Sequence, residues 1–220
     1  MTDKHNTPGA IDTELHGLLE QPHSAASRSE APADYPGYPA DPQFQLRGAF
    51  SNLMIDAAMP LFGLAMRLQT LDDHQDIKQL YKDVHNQITS VLAELRQHNY
   101  EPAHLLAYSY SLCLYLDETV MSTPWGKNSS WSQQPLLSDF HQETWGGEKF
   151  FTVLSRMVLE PQRYQQVLEF MYLCLCMGLK GKYAILPKGD EALQSLIVKL
   201  HRQIRELRGP VPEYLSDPLT

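Results

Sequence analysis

Residues 167–179 read VLEFMYLCLCMGL, and on a helix these side chains are apolar on nearly every side. A helix without a polar face is buried in the interior of a protein or a membrane, because no side of it favours water. The run has 13 residues, whereas a membrane-spanning helix needs about 20. The stretch therefore predicts a central helix that other parts of a globular domain surround.

The sequence on both sides of this run also has helical periodicity. Apolar residues recur at spacings of three and four from residue 44 to residue 68, where Pro60 predicts a kink or a break. The pattern returns over residues 77–95, from Pro102 to residue 120, and over 136–145, 148–159 and 190–208. No run alternates between apolar and polar residues as a half-buried strand does. The fold class that follows is all-α, with about six to eight helices.

The composition excludes several classes of protein. The chain has 220 residues and a formal net charge of -8, whereas sequence-independent binding of nucleic acids needs a cationic surface. Its three cysteines are too few for a disulfide scaffold and indicate a reducing compartment. The N-terminus lacks the basic and apolar regions of a secretory signal. No run of about 18 apolar residues occurs, so we expect no membrane span within the chain.

The first 42 residues differ from the rest. They hold six of the 15 prolines and carry seven acids against two bases. Such a segment buries too little apolar surface to offset its chain entropy, so residues 1–42 are predicted to be a mostly disordered acidic arm. Within it, IDTELHGLLE at 11–20 places its apolar residues on one helical face. This stretch is either a short docking helix or a transient helical turn.

Patterns that suggest an enzyme are incomplete. His141 and Glu143 form the H-x-E half of a zinc deaminase site, but no P-C-x-x-C follows. Cys174 and Cys176 lie about 200° apart on a helix and cannot bind one metal ion together. We therefore predict no cofactor, no metal site and no small-molecule substrate. A small helical hydrolase using Asp117, Glu118 and His141 remains an alternative.

Charge and tryptophan are unevenly distributed. Residues 70–120 have a net charge of -5, and residues 180–208 a net charge of +4. The three tryptophans, Trp125, Trp131 and Trp145, lie within 21 residues around the loop STPWGKNSSWSQQP at 122–135. They either fix this loop to the helical core or line a cleft that binds a partner.

The candidate partner-binding residues combine this loop with the acids that precede it. They are Asp117, Glu118, Trp125, Gly126 and Trp145. We expect charge reversal at Asp117 or Glu118 to weaken binding of a partner while the fold survives.

The last helix carries a second candidate surface. Its cations recur every three residues, at Lys199, Arg202, Arg205 and Arg208. Successive steps of three residues rotate by about -60°, so the four cations form a slanting stripe. The stripe is predicted to face outward, either toward a membrane surface or simply toward solvent.

Three stretches keep the order and spacing of one known family. They are LCLYLDETVMSTPWG at 112–126, WSQQPLLSDFHQETWGGEKFF at 131–151 and LEFMYLCLCMGLKGKY at 168–183. These stretches resemble the DotU/IcmH family, and in particular the TssL inner-membrane components of the bacterial type VI secretion system. The closing IRELRG at 204–209 also fits, so the resemblance covers about residues 44–209.

The resemblance implies a cytoplasmic domain, residues 43–209, in which two packed three-helix bundles form a hook, without catalytic activity. It implies a single C-terminal membrane helix beyond Thr220, with residues 210–220 as the linker toward it. It also implies self-association of the full-length protein, a membrane complex with TssM and TssJ, and baseplate contacts through TssK and TssE. A soluble helical adaptor without a membrane role is the alternative.

Overall fold

The computed structural model describes residues 47, 48, 50–71, 76–144 and 146–210. Within these residues the chain forms eight α-helices and one 3₁₀-helix, and no strand. They are α1 (Leu53–Leu68), α2 (Ile77–Arg96), α3 (Pro102–Ser122), α4 (Ser130–Gln133), α5 (Leu136–His141), α6 (Gly147–Met157), α7 (Gln165–Cys176) and α8 (Gly189–Arg208), with the 3₁₀-helix Gly181–Ile185 before α8. The predicted all-α class is confirmed. The predicted acidic arm at 1–42 and the linker from residue 211 lie outside the described residues.

The helices belong to two compact units. Among the described residues, the first unit contains those up to Leu95 together with Thr119–Gln133, and the second contains Arg96–Glu118 and those from Gln134 onward. The long helix α3 therefore contributes most of its length to the second unit and its last turn to the first.

Helix α1 of the first unit begins at a polar cap. The Asn52 side chain accepts hydrogen bonds from the backbone N–H groups of Met54 (3.0 Å) and Ile55 (3.4 Å), two of the four donors that a helix start leaves unpaired. The Asp56 carboxylate then accepts the N–H of Gly48 at 2.6 Å, and Arg47 forms ion pairs with both Asp56 and Glu94. The incoming chain is thus fixed to α1 and α2 by polar contacts.

Two details of α1 differ from the sequence prediction. No break occurs at Pro60, since α1 is one helix from Leu53 to Leu68 with the proline inside it. The helix also begins later than the apolar pattern, because Phe50 lies before the Asn52 cap and is exposed. Buried apolar side chains on both sides of Pro60, among them Met54, Leu61 and Leu64, hold the helix in place despite the missing backbone donor.

Helix α7 is buried along one side only, since Tyr172 and Leu173 are half-buried and Gln166 is exposed. The helix that is buried on every side is α3, whose residues 107–117 are all buried, so the central position predicted for the run at 167–179 was wrong. The buried residues of α7 are Val167, Leu168, Glu169, Phe170, Met171, Cys174 and Leu175. Helix α8 packs along α7 and also contacts the 3₁₀-helix. One buried residue of α7 is charged, and Cys176 at its end is exposed.

No described helix combines the length and the apolar composition that crossing a bilayer requires.

Candidate functional site

Asp117 holds the start of a later helix. Its two carboxylate oxygens accept the backbone N–H groups of Leu136 and Leu137, each at 2.9 Å. Pro135, the residue before α5, provides no side-chain cap of its own, so Asp117 supplies from α3 the acceptors that the first turn of α5 needs. Only 6% of Asp117 is exposed. Because this carboxylate is buried and holds α5, reversing its charge would disturb the fold, contrary to the expectation that the fold survives that change.

Glu118 holds a different segment. Its carboxylate accepts the backbone N–H groups of Lys180 and Gly181, both at 2.9 Å, directly where the 3₁₀-helix begins. Burial raises the pKa of Glu118, and the two N–H groups oppose that rise without cancelling it. Glu118 is therefore an anchor for the segment between α7 and α8 within the second unit.

Glycines let the same segment approach α6 closely. A Cβ atom on Gly147 would lie 2.8 Å from the backbone carbon of Gly181, and one on Gly181 would lie 2.8 Å from the carbonyl oxygen of Gly147. Gly181 also has φ +51°, which glycine adopts without strain. The TWGGEKFF and GLKGKY stretches thus meet, with the Phe151 and Tyr183 rings packed edge to face at 4.7 Å.

Gly126 closes the turn that ends α3. Its N–H donates to the Thr123 hydroxyl at 3.0 Å, and that hydroxyl donates to the carbonyl of Val120 at 2.7 Å. A Cβ atom on Gly126 would lie 1.8 Å from the same carbonyl oxygen, which no packing adjustment allows. The glycine is required for backbone geometry, so its role is in the fold of the first unit.

The two described tryptophans of the loop are buried. Trp131 is 1% exposed and packs edge to face on Tyr81 at 5.0 Å, and Trp125 is 9% exposed. They fix the loop to the core of the first unit, which is the first of the two roles that the sequence left open. The exposed residues at this turn are Pro124, Lys127 and Asn128. Trp145 lies outside the described residues.

The residues considered for an enzyme, namely those of the alternative hydrolase and Glu143 of the H-x-E pattern, form hydrogen bonds with separate partners. His141 Nε2 lies 3.0 Å from the Ser109 hydroxyl, and burial lowers the pKa of this imidazole. Glu143 accepts from the Tyr110 hydroxyl at 3.0 Å and forms an ion pair with Lys149. The carboxylates of Asp117 and Glu118 accept backbone N–H groups, so each of the three hydrolase candidates has a different hydrogen-bond partner. The described residues also contain no group of three or more side chains arranged to bind a metal.

The stripe on α8 divides into two parts. Lys199, Arg202 and Arg205 are exposed, opposite the buried Leu200 and Ile204. Arg208 instead donates from Nε to the Glu169 carboxylate on α7 at 2.8 Å. Sequence reasoning missed Glu169, although a lone acid within the apolar run at 167–179 was the signal for a buried ion pair.

Comparisons with known proteins agree on one family. A family model described as "Type VI secretion system protein DotU" matches residues 53–219. The crystal structure of TssL from Vibrio cholerae is 46% identical and has a TM-score of 0.66, and the match covers 71% of this chain and 97% of that one. The cytoplasmic domain of TssL from Acinetobacter baumannii is 22% identical with a TM-score of 0.65, covers 70% of this chain and 98% of that one, and is similar in fold. No curated protein matches significantly.

Replacing Asp117 by alanine is expected to lower the free energy of unfolding by about 3 kcal/mol, because two buried N–H groups of α5 lose a charged acceptor. The measurement is urea unfolding, with Glu206→Ala as the matched control. Glu206 is an exposed acid of the same unit, and its removal should change stability by less than about 0.5 kcal/mol. Equal effects of the two substitutions would show that the Asp117 contacts contribute nothing.

The raised pKa of Glu118 predicts a pH dependence of stability. The folded state keeps this proton to a higher pH than the unfolded state, so the contribution of Glu118 is largest below the ordinary carboxyl pKa. It falls as pH rises toward the raised pKa and is constant above it. The stability advantage of the parent over Glu118→Gln should therefore shrink between about pH 4 and the raised pKa, measured by urea unfolding at several pH values. An advantage that grows with pH would contradict the burial of this carboxylate.

Proposed function

Because the chain belongs to the DotU family of type VI secretion system proteins, we propose that it is a docking component without enzymatic activity that links the inner-membrane complex of this system to its cytoplasmic baseplate. The family match over residues 53–219 carries the proposal. Membership makes the chain a structural component of the secretion machinery, and the link to the baseplate is the step that we add.

The proposed partners are TssM and TssJ on the membrane side and TssK and TssE on the baseplate side. Support for a docking role comes from the way the polar residues are used. Asp117 and Glu118 bind backbone N–H groups of their own chain, so they order the surface that partners contact. We place contacts with partners on exposed residues, such as Lys127 and Asn128 in the first unit.

We propose that α8 faces the inner membrane from the cytoplasmic side, ahead of a C-terminal membrane helix. Lys199, Arg202 and Arg205 are exposed on this helix, while its apolar side is packed in the second unit. Cations near a membrane span favour the cytoplasmic side, and each adds about 1 kcal/mol of attraction to an anionic leaflet. Attraction to the anionic leaflet would explain why a chain with a net charge of -8 carries a cluster of cations on its last helix.

Charge reversal of the stripe tests this orientation. The triple variant K199E/R202E/R205E in the full-length protein should assemble less membrane complex and secrete less effector, because three attractive charges become repulsive near the anionic leaflet. The measurement is effector secretion from bacteria, together with recovery of TssM in affinity purification.

The matched control is K78E/K82E/R96E on α2, which changes the charge by the same amount on another exposed helix face. This control should secrete normally. Equal losses in both variants would show that net charge, and not the position of the stripe, matters.

Cell fractionation separates the proposed anchored protein from a soluble adaptor. Full-length protein should be recovered with the membranes and should self-associate, while the 220-residue chain should be recovered in the soluble fraction as a monomer or weak dimer. Full-length protein in the soluble fraction would refute the C-terminal anchor and leave the adaptor as the better proposal.

A further inference from the structure

Helix α7 carries a charged residue in the interior of the second unit. Glu169 is 5% exposed and lies among the apolar residues of α7. Its carboxylate accepts from Arg208 Nε at 2.8 Å and from the Gln165 amide at 3.2 Å. A carboxylate at such a position loses most of its hydration, so it depends on the partners that replace water.

Arg208 is placed where α8 ends. It is the last residue of the helix, and Gly209 follows with φ 75° and with its N–H bonded to the carbonyl of Arg205. About two turns earlier in α8, the Tyr172 hydroxyl on α7 lies 3.1 Å from His201 Nδ1. The Glu169–Arg208 pair is therefore a polar contact that ties the final turn of α8 to α7.

The two partners differ in their access to solvent. The Arg208 side chain is 54% exposed, whereas that of Glu169 is 6% exposed. A guanidinium binds a phosphate as well as it binds a carboxylate, with the same paired geometry. Arg208 can therefore bind an anion outside the protein, and the negative charge of that anion competes with Glu169 for the guanidinium.

We propose that the Glu169–Arg208 pair is an electrostatic latch that anionic lipid headgroups open. In the free chain Arg208 is paired with Glu169, whereas the other three cations of the stripe, Lys199, Arg202 and Arg205, are exposed. At a membrane surface, headgroup phosphates compete with Glu169 for Arg208, and the final turn of α8 is released from α7. The latch rests on the proposed membrane-facing role of α8, and it regulates how firmly the end of this helix binds that surface.

The closed latch is tested by substituting both partners in turn. Arg208→Met leaves a buried carboxylate without its cation, so its melting temperature should fall by several degrees. E169M/R208M replaces the pair by apolar side chains and should recover most of that loss. If the double variant is as unstable as Arg208→Met, the two residues do not act as a pair and the latch is refuted.

Opening is tested by co-sedimentation with vesicles of phosphatidylglycerol and phosphatidylethanolamine in equal parts, at low ionic strength. Glu169→Met frees Arg208 and should bind at least about fivefold more tightly than the parent. E169M/R208M lacks the same acid but also the freed cation, and should bind no more tightly than the parent. Glu206→Gln removes one exposed acid from α8 and controls for the change in net charge. Equal gains in Glu169→Met and Glu206→Gln would overturn the proposal.

Hydrogen exchange of the parent chain distinguishes a lipid surface from a free anion. The vesicles should accelerate amide exchange in the last turn of α8, while inorganic phosphate and phosphatidylcholine vesicles should leave it unchanged. Acceleration by inorganic phosphate alone would refute a latch specific for a membrane surface. If K199E/R202E/R205E abolishes vesicle binding but Glu169→Met has no effect, the latch fails while the proposed orientation of α8 stands.

Discussion

Two adjacent carboxylates on α3 organise the second unit. Neighbouring residues of a helix point about 100° apart, so Asp117 and Glu118 reach two different segments. Asp117 accepts the first N–H groups of α5, and Glu118 accepts those of Lys180 and Gly181 before α8. Each carboxylate accepts two backbone N–H groups that have no acceptor within the helix they begin. The path of the chain from α5 to α8 depends on these four hydrogen bonds.

The second constraint on the structure is close contact between backbones, which requires glycine. One such contact lies at Gly181, whose N–H group binds Glu118. Gly147 and Gly181 approach so closely that a Cβ atom on either would lie 2.8 Å from the other backbone, which is closer than van der Waals contact allows. In the first unit Gly126 has the same role beneath the carbonyl of Val120. The family motifs that contain these glycines and acids are thus explained by backbone geometry.

Helix α8 carries the basic surface of the second unit. Its apolar side is fixed to α7 and leaves three cations outward, in a chain that is acidic overall. The fourth cation, Arg208, forms an ion pair with the buried Glu169 of α7. A buried ion pair contributes little net stability, but removing one partner is costly. That asymmetry gives the end of α8 two states that an external anion can shift.

The sequence alone determined the all-α class, the order of the helices and the outward placement of Lys199, Arg202 and Arg205, because helical periodicity is a local property of the chain. The sequence also indicated the family, because its motifs keep the order and spacing of that family. Tertiary structure alone decided what the polar residues of those motifs do. Asp117 meets Leu136 and Leu137, Glu118 meets Gly181, and Glu169 meets Arg208. These partners lie 19 to 63 positions apart, so no local pattern could show which backbone groups Asp117 and Glu118 bind, or that Glu169 pairs with Arg208.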